Sequence, residues 1–140
     1  MKVITGVDDN RLSYEQNAEG KYDIKITSYD RKNHYRTGFI FDSIELMNPY
    51  LLRVSQTDSE GKKKFGLIAV HGWTQIFHPC NFSSINPNSN STVSAWLEWK
   101  QFIIDSYGRI YNENFWRVKT EKEVGFDSDG RAHWKKEYWR

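Results

Sequence analysis

The chain has 140 residues, enough to build one hydrophobic core without disulfide or metal staples. Its 20 Lys and Arg against 18 Asp and Glu leave a net charge of +2, which excludes the strong basic field of a duplex nucleic-acid or anionic-membrane binder. Six Trp, eight Tyr and eight Phe argue against disorder, because each buries a large area and favours strands over helices.

In chain order, the N-terminus meets Asp8 and Asp9 before any apolar stretch develops, which reads as no secretory signal. Tyr22 to Thr27 alternates apolar and polar residues, as a strand with one buried face does. Asp42 to Met47 is a short candidate helix, and Leu52-Arg53-Val54 alternates briefly. Gly66 to Val70 and Phe102 to Ile104 are continuous apolar runs, expected to be strands covered on both faces. Asn86 to Thr92 is an exposed polar loop. Val93 to Trp99 places Val93, Ala95, Leu97 and Trp99 on one side, although 93–100 reads equally well as helix. Phe115 to Thr120 alternates again.

Turn signals separate these segments at Asp8-Asp9-Asn10, Arg31-Lys32-Asn33, Ser59-Glu60-Gly61, His71-Gly72, Ser106-Tyr107-Gly108 and Asp127 to Gly130. The expected fold is one all-β domain over residues 1–140, made of tandem antiparallel hairpins that form a repeat-like sheet or partly open barrel. The single Cys80 permits no intrachain disulfide and suits a reducing compartment. No apolar run approaches membrane-spanning length. A cytoplasmic location is therefore expected, where the sequons at Asn81 and Asn90 are chance matches.

Internal similarity carries the most information. Lys100 to Ile110 overlays Lys122 to Ala132 at an offset of 22, with Lys, Asp, Ser, Gly and Arg coinciding. Shifted back by 36, the same segment falls on Lys64 to Gly72 and keeps Lys, the apolar core and the closing Gly. Each unit reads as strand, tight turn, strand. A lone hairpin cannot bury its apolar face, whereas several joined or stacked can.

Residues 41–111 resemble the WG repeat family of bacterial β-hairpin repeats. Phe41-Asp42-Ser43-Ile44 precedes Leu51 to Val54, Gly61 precedes Lys64-Phe65-Gly66-Leu67-Ile68, and the turn at His71-Gly72 leads through Ile76-Phe77 to Pro79. Phe82-Ser83-Ser84-Ile85 opens a further copy, which runs through Lys100 to Ile104, Asp105 and Gly108. The namesake Trp-Gly is Phe65-Gly66 in one copy and Gln101-Phe102 in the next, and the second copy has a longer connecting loop. The resemblance implies a β-rich scaffold used for contacts and no catalytic residues.

Few residues suggest chemistry. His71, His78 and Cys80 form an incomplete zinc set, since a structural site takes four ligands. They read instead as a turn histidine, a strand-end histidine and a buried thiol. Pairing Cys80 with either histidine as a nucleophile also needs an oxyanion hole, for which there is no signal. Asp127 to Gly130 begins like a calcium loop but lacks the terminal Glu. No catalytic residue, metal ligand or cofactor is therefore assigned.

The expectation is a non-enzymatic binding protein that presents a β-repeat surface to another protein, as an inhibitor of the immunity or phage anti-defence type would. Its anchors are expected among Trp73, Trp116, Trp134, Trp139 and Arg140, with Lys135 and Lys136, because Trp and Arg dominate such contacts. The alternative is a single-stranded nucleic-acid binder that uses the C-terminal aromatic and basic residues. No membrane partner is expected, and exposed strand edges leave room for a homodimer.

Overall fold

The computed structural model describes residues 1–6, 8 and 10–111, together with the backbone of 122–126 and 132–136. Every regular element among them is a strand, and the strands form three antiparallel meanders. The first comprises β1 (Lys2–Val3), β2 (Leu12–Gln16), β3 (Tyr22–Thr27) and β4 (His34–Arg36). The second comprises β5 (Ser43–Asn48), β6 (Leu51–Thr57), β7 (Lys63–His71) and β8 (Thr74–Phe82). The third comprises β9 (Ser84–Pro87), β10 (Val93–Leu97), β11 (Lys100–Ile104) and β12 (Ile110–Tyr111). β13 (Lys122–Phe126) joins the middle sheet beside β8, with Lys122 opposite Phe77 and Glu123 opposite Ile76, and β14 (Ala132–Lys136) follows it.

The three sheets stack face to face, and strand parity shows how. In the middle sheet Leu52, Val54, Ile68 and Val70 share one core with Leu12, Ile24, Ile26 and Phe41. Their neighbours Leu51, Leu67 and Ala69 share another with Ile85, Val93, Ala95, Phe102, Ile104 and Ile110. Successive side chains of a strand point to opposite faces, so a central strand buried on both sides must be apolar throughout. Residues 66–70 are such a strand, and all five are buried. Each large aliphatic side chain so buried contributes about 1.5–3 kcal/mol.

Several expectations need correction. Phe102 and Ile104 face the core, but Ile103 points away from it and is partly exposed, so that run is covered on one face. Residues 43–48 form a strand rather than a helical turn, because Ser43 to Leu46 pair with Ser55 to Leu52. Val93 and Ala95 are buried, but Leu97 and Trp99 are exposed, because Glu98 and Trp99 form a two-residue hairpin turn. No sheet among the described residues closes into a barrel.

One turn design recurs. Asn17, Asp58 and Asp105 each open a five-residue connection that closes on Lys21, Lys62 and Arg109, with Gly in fourth place at φ of +83, +81 and +87°. In each, the first N–H donates to the fifth carbonyl (2.8–3.0 Å), while the side-chain Oδ1 accepts from the third and fifth N–H groups (2.8–3.0 Å). A side-chain oxygen here substitutes for missing backbone partners. Asn88 to Thr92 closes the same way, with Ser91 at φ +62° in place of Gly. The 22-residue offset also holds in the strands, since β11 shifted by 22 is β13 and the start of β12 becomes the start of β14.

Candidate interaction surface

At one end of the stack the β3–β4, β7–β8 and β11–β12 turns converge. The β7–β8 turn is the pair Gly72-Trp73, with Gly72 at φ +61° and His71 opposite Thr74. A two-residue turn of this kind is rigid, so it holds Trp73 out at 68% exposure. The Trp73 ring packs against Tyr29 of the β3–β4 turn, itself 50% exposed, at 5.0 Å between centroids and 59° between planes.

Beneath this pair lies Arg11, 1% exposed. Its Nε donates to the Thr27 carbonyl (2.9 Å), Nη1 to Asp8 Oδ2 and the Gly72 carbonyl (both 2.6 Å), and Nη2 to Gln75 Oε1 (3.1 Å). Asp8 Oδ2 also accepts from the Gly72 N–H at 2.7 Å. One ion pair therefore holds both backbone groups of Gly72 and ties two meanders together. Burial pushes the Arg11 guanidinium below its ordinary value, and the hydrogen bond to Asp8 opposes this. The guanidinium carbon also lies 5.6 Å from the Tyr29 centroid, within cation–π range.

The other flank of the turn carries a ring stack. His71 lies between Tyr50 at 3.8 Å and Tyr107 at 3.9 Å, within 10° and 3° of parallel. Its Nδ1 faces the Ser106 carbonyl at 3.3 Å, and the Arg109 guanidinium carbon lies 4.9 Å from the Tyr107 centroid. Tyr29, Trp73 and Tyr107 thus reach solvent from three turns at one end, braced from below by buried polar groups.

His71, His78 and Cys80 do not assemble. His78 lies within β8 rather than at its end, is 1% exposed, and places Nε2 2.5 Å from the Gly108 carbonyl. The half-buried Cys80 lines a polar cleft of about 250 Å³ with Lys21, Asp42 and Thr57. Burial, reinforced by the Asp42 charge, pushes its thiol up to about 12, so it remains protonated at neutral pH. Among the described residues no three His, Cys, Asp or Glu side chains are grouped as a metal site requires. No helix among them is long and apolar enough to cross a membrane.

Of the anchors expected from sequence, only the Trp73 side chain is described. Trp134, Lys135 and Lys136 lie on β14, where the register sets them opposite Val124, Glu123 and Lys122. Trp116, Trp139 and Arg140 lie outside the described residues. Sequence reasoning missed Trp99, at 82% the most exposed large hydrophobic residue described, because Glu98-Trp99 carries no Gly, Asn, Asp or Pro to mark a turn. It also missed Tyr29 and Arg11, whose partners are 61 and 64 residues away for Arg11. Compared with known proteins, the chain matches no family model, no curated protein and no solved structure.

Proposed function

We propose that this chain is a non-enzymatic binding protein whose β-repeat surface engages another protein through the turn end that carries Trp73. The observation that carries this reading is the exposed Trp73–Tyr29 pair fixed on a rigid turn above the Arg11–Asp8 clamp. Exposed Trp and Tyr beside Arg are the usual anchors of protein interfaces, and a preorganised anchor loses little entropy on binding. The WG-like pattern of residues 41–111 and the three repeated meanders fit a scaffold for contacts. An inhibitory role of the immunity or phage anti-defence type, in the cytoplasm, extends the same reading.

The test is affinity capture of the tagged chain from bacterial lysate, with nuclease treatment, beside its Trp73→Ala variant. One protein retained in defined proportion is expected, with Trp73→Ala costing about 2 kcal/mol, roughly thirty-fold in Kd. Capture that disappears with nuclease would instead favour single-stranded nucleic-acid binding. Capture of the same protein at full strength by Trp73→Ala would remove the turn end from the site.

A further inference from the structure

The β9–β10 loop departs from its three sibling turns in a way that leaves one main-chain nitrogen free. In those turns the fourth residue, Gly20, Gly61 or Gly108, donates its N–H to the first carbonyl at 2.9–3.0 Å. Here the fourth residue is Ser91 at φ +62°, and its N–H has no hydrogen-bond partner among the described residues. The loop is held instead by the Asn88 N–H on the Thr92 carbonyl (2.9 Å) and by Asn48 Nδ2 on the Ser91 carbonyl (3.0 Å).

Immediately before that nitrogen stands the exposed Asn90, whose carboxamide is engaged at its oxygen only. Thr92 Oγ1 donates to Asn90 Oδ1 at 2.6 Å, and Asn88 Nδ2 donates in turn to Thr92 Oγ1 at 3.1 Å. A hydrogen bond to a carbonyl oxygen draws electrons from its carbon and stabilises the oxyanion that forms when a nucleophile adds there. Because the donor stands two residues downstream, it also directs the carboxamide toward the C-terminal side, where the Ser91 N–H lies. Asn90 Nδ2 has no partner among the described residues, so nothing retains it as a leaving group. Asn88, the other asparagine followed by serine, is tethered at both ends, with Nδ2 on Thr92 and Oδ1 accepting from Ser94 Oγ at 3.1 Å.

We propose that Asn90 is a site of spontaneous deamidation, selected by this loop over the other asparagines of the chain. The Ser91 nitrogen gives its proton to a solvent base and bonds to Asn90 Cγ. The Cγ–Nδ2 bond then breaks, and the nitrogen takes a proton from water and leaves as ammonia. Water opens the resulting cyclic succinimide at either of its carbonyls, which gives aspartate or isoaspartate. Both products carry a carboxylate, so the net charge falls by one from +2. Isoaspartate also adds a methylene to the main chain, within a turn whose closure depends on its length. The reaction needs no partner, and it stands or falls separately from the function proposed above.

Mass-spectrometric mapping of the full chain, aged at neutral and at mildly alkaline pH, tests this, with fragmentation that separates Asn88 from Asn90. Asn90 should convert first, faster in alkali, with isoaspartate among its products. In the folded chain it should lead Asn88 by about tenfold or more, whereas in urea, where the loop is lost, the two should convert at similar rates. Thr92→Val, which removes the hydroxyl, should slow conversion of Asn90 about three- to tenfold, the worth of one exposed hydrogen bond, and Thr92→Ser should restore it. Circular dichroism confirms the fold of each variant before ageing. Conversion of the folded chain that begins at another asparagine, equal rates at Asn88 and Asn90 in the folded chain, or a folded Thr92→Val variant that converts as fast as wild type or faster would each overturn the proposal. Should Thr92→Val fail to fold, the ratio of Asn90 to Asn88 conversion in the folded and urea-unfolded wild-type chain still decides.

Discussion

The two junctions between layers are built from different materials. Where the first meander meets the middle one, a mainly aliphatic core is closed at the turn end by a buried ion pair that reaches backbone groups on both sides. Where the middle meander meets the third, the closure consists of stacked rings and a backbone approach too close for any side chain. A Cβ on Gly108 would lie 2.5 Å from the Ala69 Cβ and 3.1 Å from the Ile76 Cβ. One junction depends on satisfying charge, the other on fitting shape, and each fails in its own way.

Removing the charge should have the larger effect. Arg11→Ala removes one donor each from Asp8, the Gln75 oxygen and two carbonyls, and the loss of one partner from a buried ion pair costs about 3–5 kcal/mol. Urea denaturation should show this loss, and Asp8→Ala combined with it should cost less than the sum of the two single changes. Equal and additive losses would show that the two side chains do not act as a unit.

The second junction should respond to volume. Gly108→Ala places a methyl group against Ala69 at φ +87°, with an expected cost of about 1–3 kcal/mol from overpacking and backbone strain together. Gly61→Ala makes a useful control, since that turn has a similar φ of +81° but open space around the new Cβ. The difference between the two midpoints isolates the packing part. Equal losses would mean that backbone strain accounts for the whole effect.

A third change separates the junctions from the turns. The Asp58 carboxylate is held below its ordinary range, first by the Lys62 N–H and then by that of Glu60. A depressed carboxylate pKa contributes stability that is present above the unfolded value and is lost as pH falls through the folded one. Asp58→Asn keeps the acceptor oxygen, as Asn17 does in the sibling turn, so thermal melts at neutral pH should change little. Melts followed into acid should be flatter for the variant than for the parent. Parallel acid profiles would exclude Asp58 as a source of the pH dependence.

Local features of this fold were readable in the sequence, and relations between distant segments were not. The Asp-x-x-Gly turns and the apolar run at 66–70 declare themselves because their causes lie within a few residues. Assignment of Leu51 to one core and Leu52 to the other needs the presence of both flanking sheets, which no window of sequence contains. The burial of Arg11 has the same origin, since Gly72 and Gln75 join it only when two meanders meet. Trp99 was missed for the opposite reason, because the pattern before it continues smoothly into a turn held by Glu98 in a strained conformation.

The five-residue turns also bear on how the chain acquires its structure. Their hydrogen bonds join residues two to four apart, so each hairpin can close within microseconds without waiting for the rest of the chain. The contacts of Arg11 and of His71 span 61 and 35 residues, and can form only after the meanders exist. Assembly is thereby divided into fast local closure and slower docking of preformed sheets, and the docking contacts are those that pay the long loop-closure entropy.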